Sequence, residues 1–159
     1  MRGLALCALG ALALLASAAP ARALCVLCSC TVNANPLSFG SFAPLSGAPR
    51  DAATTVDVSC TGVSALSAIE IRMNAGVYGT IANRRMRSSG NDLAYNIYTN
   101  AARTTIWGDD TGGYAAVTVT NTLGLVAWSS STTAYGRASP APSTPPGAYG
   151  DTIVVTVEW

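Results

Sequence analysis

Cysteines are the residues whose type and spacing invite chemistry in this chain. Cys7 falls in the leader described below, which leaves Cys25, Cys28, Cys30 and Cys60. The run Cys25-x-x-Cys28-x-Cys30 has the close spacing of a metal knuckle or a redox dithiol, both of which need thiolates converging on one point. Neither finds support around it. No fourth ligand stands nearby and no base is placed to activate a thiol. An even cysteine count in an exported chain reads instead as disulfides, with three connectivities open. Cys30–Cys60 is favoured because both residues sit at strand ends and enclose a sizeable loop. Cys25 and Cys28 then form a second pair, or pair with another molecule.

Other reactive groups are sparse. The sequence has no histidine, which removes Ser-His-Asp catalysis and His-ligated zinc. Asp109-Asp110 adjoins a glycine-rich turn but lacks the distal bidentate acid of a calcium loop, so a solvated turn is expected. The remaining acids are scattered and show no pairing for general acid–base work. Asp151 is the oddest of them, an acid inside an otherwise apolar strand, with a structural partner expected near the Arg84–Arg87 run. That basic run itself reads as a solvated strand edge. No catalytic residue, cofactor or metal is expected, and the chain is not read as an enzyme.

Charge and hydropathy set the address. Arg2, an apolar run from Gly3 to Ala16 and Ala21-Arg22-Ala23 form a signal peptide over residues 1–23, with one domain over 24–159. The apolar run is too short to span a bilayer and no later stretch reaches that length, so no membrane span is expected. Beyond residue 23, seven arginines face eight acids, a net charge of about −1. A nucleic-acid surface needs a basic excess, so no such partner is expected. The product is expected in the periplasm in transit and then at the cell surface.

The elements that must carry these residues are short strands. Cys30 to Ala34 alternates weakly, and Leu37 to Phe42 resumes with Leu37 and Phe39 on one face. Thr54 to Cys60 puts Val56, Val58 and Cys60 inward, and Ser67 to Asn74 puts Ile69, Ile71 and Met73 inward; the two are expected as neighbours in one half-buried sheet. Leu93 to Thr99 follows with Leu93, Tyr95 and Ile97 buried. Thr104–Trp107, Ala115–Thr120, Leu123–Trp128 and Thr132–Arg137 come next, and a proline-rich connection leads to Gly147–Trp159. That last stretch reads as one long strand with Tyr149, Asp151, Ile153, Val155, Val157 and Trp159 on one face. No helical periodicity lasts three turns. Six to nine strands between Gly, Pro and Asn turns indicate an all-β sandwich or barrel.

Three blocks in order carry a family resemblance. Cys30-Thr31-Val32, Leu37-x-Phe39-Gly40 and Val56-x-Val58-x-Cys60 resemble the opening of the spore coat protein U domain, which also occurs in Csu-type archaic chaperone–usher fimbrial subunits. Leu93 to Arg103 with Trp107-Gly108-Asp109 is similar to that family's middle run, and Pro146 to Val157 to its closing motif. The resemblance implies an immunoglobulin-like β-sandwich that is incomplete, missing its last strand and completed by a donor strand. It implies a structural subunit of a surface fimbria, pilus or spore-coat-like layer, with a periplasmic chaperone, an outer-membrane usher and neighbouring subunits as partners. Ile153, Val155, Val157 and Trp159 would then line or flank the strand-acceptor groove. After cleavage at Ala23 only Leu24 to Ser29 precede Cys30, about 20 Å of extended chain, too short to fill a long groove. The chain thus reads as better equipped to receive a strand than to donate one. A tip-type adhesin, binding through exposed loops, is the alternative; Trp107 and Trp128 would serve it if exposed, although core packing is the favoured reading of both.

Overall fold

The computed structural model describes residues 29–41, 47–62, 68–121 and 127–159. The expected signal peptide, Cys25 and Cys28 lie outside these residues. Eight strands build two sheets: β1 Ser29–Ala34, β2 Arg50–Thr61, β3 Ala68–Met73, β4 Arg84–Ser88, β5 Asn91–Tyr98, β6 Val117–Thr120, β7 Ala127–Ser139 and β8 Val155–Glu158. The larger sheet runs β1-β2-β7-β5-β4 and the smaller β6-β3-β8. All named pairings are antiparallel. The result is the expected all-β sandwich.

Period-two patterning decides what lies between the sheets. Val56, Val58 and Cys60 of β2 and Leu93, Tyr95 and Ile97 of β5 point in from one side. Ile69, Ile71 and Met73 of β3 point in from the other. The expectation that the segments around Val56 and Ile69 are sheet neighbours is therefore wrong: β2 belongs to the larger sheet and β3 to the smaller. Alternation reports that one face is buried, and it is the same whichever side of the core a strand occupies.

Other boundaries also shift. The two strands expected around Trp128 and Tyr135 are a single strand, β7, from Ala127 to Ser139, paired along its length with β2; residues 122–126 lie outside the described set. Thr104–Trp107 makes only a bridge, Ile106 to Tyr98. Leu37 and Phe39 do share a face, but as an irregular segment laid across β7. Gly136 permits that approach, since a Cβ there would stand 2.6 Å from Leu37 Cδ2 and 2.9 Å from Phe39 Cε1.

Two bonds tie the strands covalently and across the core. Cys30 and Cys60 are register partners on β1 and β2, and they form a disulfide, as the sequence favoured. Trp107 is fully buried; its backbone N–H donates to Ile97 O (2.9 Å) on β5 and its indole Nε1–H to Ile71 O (2.8 Å) on β3. One residue thus bonds both sheets, by its backbone to the larger and by its side chain to the smaller. Replacing Cys30 and Cys60 together by Ser is expected to lower the unfolding free energy by roughly 3–4 kcal/mol, the chain-entropy value for a loop of this length. A urea titration would show it as a lower midpoint, and an unchanged midpoint would contradict it.

Candidate functional site

The feature that stands apart is an open side of the sandwich. β8 pairs with β3 along one edge, and among the described residues no strand pairs with its other edge. Asn74 N–H donates to Val154 O (3.2 Å) and Val154 N–H to Asn74 Oδ1 (2.9 Å), so Val154 aims its backbone groups toward β3. Strand alternation gives Thr156 and Glu158 the same orientation. The N–H and C=O groups of Val155 and Val157 consequently face the free edge. β1 closes the larger sheet on the same side and lies near β8.

Between these edges the core is incompletely covered. Ile153, Val155 and Val157 pack against it yet remain half-exposed, and Val32 on β1 is 39% exposed. A cleft of about 350 Å³ opens here, lined by Leu37, Phe39, Met73, Met86, Ile153 and Val155 among others. A second cleft of about 590 Å³ shares Leu37, Phe39, Met86 and Tyr149 with it and continues toward Pro145 and Gly147. Through these shared residues they form one trough, apolar along Leu37, Phe39, Met86 and Ile153.

The expected residues fall along this trough unevenly. Ile153 and Val155 line the first cleft. Val157 packs on the core beyond it, and Trp159 is 47% exposed at the end of the chain. The stretch Gly147–Trp159 is not one strand. Gly150 bridges Arg87 of β4 in the larger sheet, the chain then crosses, and only Val155–Glu158 pairs with β3 in the smaller.

Asp151 sits at that crossing. Its Oδ2 accepts from Tyr95 O–H (2.6 Å), and its Oδ1 accepts from Val77 N–H (2.9 Å) and Thr152 N–H (2.8 Å). The expected structural partner is therefore chiefly Tyr95 and backbone, with no arginine paired to it among the described residues. Gly76, at φ +78°, passes so close that a Cβ would collide with the Asp151 carboxylate. Burial pushes the Tyr95 hydroxyl well above its ordinary value near 10, and the Asp151 carboxylate beside it adds to the shift, so Tyr95 stays a proton donor.

Arg84 is the residue that sequence reasoning missed. It was placed with a solvated edge, and Arg85 and Arg87 are indeed exposed, but Arg84 is fully buried. Its guanidinium donates to Asn74 O (2.7 Å), Met73 O (3.2 Å), Trp107 O (2.8 Å) and Asn96 Oδ1 (2.8 Å). Burial lowers its pKa, while the charges on Asp109 and Asp151 and the nearby Tyr95 oppose that shift. A signal was available: Met86, two residues on, is apolar and in phase with Arg84, so period two puts both inside.

The remaining sequence candidates resolve into local structure. Asp109 Oδ1 accepts from Thr111 N–H (3.0 Å) and Thr111 O–H (2.5 Å), and Asp110 Oδ1 from Ala116 N–H (2.7 Å), a bonded turn. Trp107 is buried, the core packing favoured for it, and presents no surface for an adhesive loop. Trp128 is half-buried on β7 opposite Cys60.

The sequence pattern of the Spore Coat Protein U domain matches residues 16–156. The chain belongs to the Spore Coat Protein U domain family. Among solved structures it is similar to a chain of the CsuC–CsuE chaperone–tip adhesion subunit pre-assembly complex, from the archaic chaperone–usher Csu pili of Acinetobacter baumannii. That match has 23% identity and a TM-score of 0.54, and it covers 84% of this chain and 40% of the other. The present chain thus spans well under half of that relative's length, and the likeness establishes a shared fold. A chaperone–tip adhesin complex of CFA/I fimbriae biogenesis matches at 15% identity and a TM-score of 0.42, over 80% of this chain and 38% of that one. No curated protein matches the chain. Among the described residues, no helix is long and apolar enough to cross a membrane.

Two substitutions test how this family member holds its open edge. Arg84→Lys keeps the charge but loses the planar fork, leaving buried carbonyls without donors, and is expected to cost about 3 kcal/mol or more. Equal denaturation midpoints would contradict the assignment. Tyr95 has a raised folded pKa, so the stability it contributes is fully present below pH 10 and is lost as pH rises above it. Thermal melts between pH 9 and 11.5 are expected to show a steeper alkaline fall in the parent than in Tyr95→Phe.

Proposed function

We propose that this protein is an exported structural subunit of a surface fimbria or coat layer, and that its open edge is completed by a strand from another polypeptide. The observation that carries this reading is β8. Its outward backbone groups at Val155 and Val157 lack a strand partner among the described residues, while the side chains of Ile153 and Val155 line the trough and Val157 packs, half-exposed, on the core beyond it. An incoming extended segment would bond to that edge through its backbone and seat alternate side chains on the exposed core. The physical incentive is twofold, since unpaired strand edges and uncovered apolar side chains both favour association.

In this reading a periplasmic chaperone occupies the trough first. A neighbouring subunit replaces it during assembly through an outer-membrane usher. Ile153, Val155 and Val157 form the acceptor wall, and Trp159 flanks its end. The family membership and the fold shared with a chain of a chaperone–subunit complex support this assignment. The role is mechanical, with no catalytic residue assigned.

Hydrogen exchange tests the edge directly. In the chain alone, the amides of Val155 and Val157 are expected to exchange fast, whereas Thr156 and Glu158, bonded toward β3, are protected. Adding a peptide of alternating apolar residues, or co-expressing a chaperone, should protect Val155 and Val157 and raise the melting temperature. A monomer whose amides at 155 and 157 are already protected, and whose melting temperature no strand changes, would sink the proposal.

A further inference from the structure

Resting on the reading of β8 as an acceptor edge, we infer that Met73 and Met86 give the trough an adaptable floor, one that re-packs around inward side chains of different shape. The same acceptor then takes two unrelated strands in succession, a chaperone's and a neighbouring subunit's, without being fitted to either.

The placing of methionine is the first observation. The chain has three: Met1 opens the expected signal peptide, and Met73 and Met86 both line the first cleft. Met86 lines the second as well. They come from opposite sides, Met73 from β3 of the smaller sheet and Met86 from β4 of the larger, and both are inward-facing members of the core cluster. Met73 is the register partner of Val155, so it lies one strand in from the free edge. Around the two methionines the wall is fixed. Tyr95 is held by its O–H to Asp151 Oδ2 (2.6 Å), and Phe39 sits edge-on to the Tyr95 ring with centroids 6.1 Å apart. Leu37 and Phe39 pack over Gly136. Ile97, Ile153 and Val155, also in the lining, are β-branched and stiff at χ1.

Methionine differs from these neighbours in being unbranched, with three rotatable bonds and a polarizable thioether, so it fills irregular gaps. The backbone beneath is anchored. Met73 N–H donates to Gly108 O (2.9 Å), Met73 O accepts from the buried Arg84 guanidinium (3.2 Å), and Met86 is paired with Leu93. Adaptation is thereby confined to two side chains, with no strand displaced. A rigid apolar wall discriminates among side chains of equal volume and different branching, because mismatched shapes force strain or leave voids. A movable floor relaxes that discrimination, as Met-rich surfaces do in binders that accept many partners. Strand exchange at one site needs such tolerance, since the incoming sequence changes while the trough does not.

The test uses residues 24–159, the whole chain beyond the expected signal peptide, and synthetic eleven-residue peptides with Val at every inward position and Thr or Lys between. A Val-to-Ala scan, read by fluorescence anisotropy, first marks the inward positions that sit over the clefts. At each of these, Val is then replaced by Leu, by Ile or by norleucine, side chains of equal carbon count and different branching. In the parent the affinities of these peptides are expected to agree within about threefold. In the double variant Met73→Ile with Met86→Ile, whose floor is stiff, they are expected to spread to about tenfold, the usual limit for a shape change at constant volume. A spread of about tenfold in the parent overturns the inference. A double variant that discriminates no better than the parent overturns it too, because the methionines are then ordinary core. If no peptide binds the parent, the acceptor reading itself fails. Should the double variant not fold, each single Met→Ile variant carries the same comparison, and the parent's own spread still decides.

Discussion

One buried cation holds this sandwich in its working shape. Arg84 leaves the edge strand β4 of the larger sheet and reaches the end of β3 in the smaller, where Met73 and Asn74 present their carbonyls. Burying a guanidinium carries a heavy desolvation cost, which is offset only when its donors are well engaged. Here the partners are carbonyl oxygens from Met73, Asn74 and Trp107 and the amide oxygen of Asn96, a neutral cage. The planar fork suits that task, because it distributes five donors over fixed directions.

The consequences run outward from Asn74. Its main chain and side chain both bond Val154, so the position Arg84 imposes on Asn74 is passed to the start of β8. Asn74 Oδ1 also accepts from Gly76 N–H, which begins the turn that brings Val77 N–H onto Asp151. Asp151 in turn receives the Tyr95 hydroxyl from the larger sheet. Arg84, Asn74, Asp151 and Tyr95 therefore form a polar chain from one sheet to the other, beside the trough. Such a network holds the edge strand in place from one side only. That is the condition for a stable site that still offers backbone groups to a partner.

The exposed ion pairs play a lesser part. Arg137 and Arg103 flank Asp51, Arg87 meets Asp92, and Arg72 bridges Glu70, Glu158 and Asp110. Each is open to solvent and contributes little. The arrangement around Arg72 does solve a local problem: Glu70 and Glu158 are directly opposed on β3 and β8, and the guanidinium between them relieves the repulsion.

Much was legible in the sequence because strands write their exposure in period two. Val56, Val58, Ile69, Ile71, Leu93, Tyr95 and Ile97 are inside as alternation required, and the Cys30–Cys60 pairing followed from strand ends in a chain expected to be exported. Which sheet each strand joins was not legible, since alternation says nothing of which side of the core a face looks from. That is why β2 and β3 seemed neighbours. The burial of Arg84 was hidden for a related reason: charge argues for solvent, and only four oxygens converging from separate segments overrule it. The closing stretch shows the same division. Its alternating residues determined which side chains face the core, while the Gly150 bridge to β4 and the Asp151 contacts decided that the chain crosses between sheets there. Local patterning belongs to the sequence; the open edge exists only because tertiary packing sets β8 beside β3 and leaves its other side without a strand among the described residues.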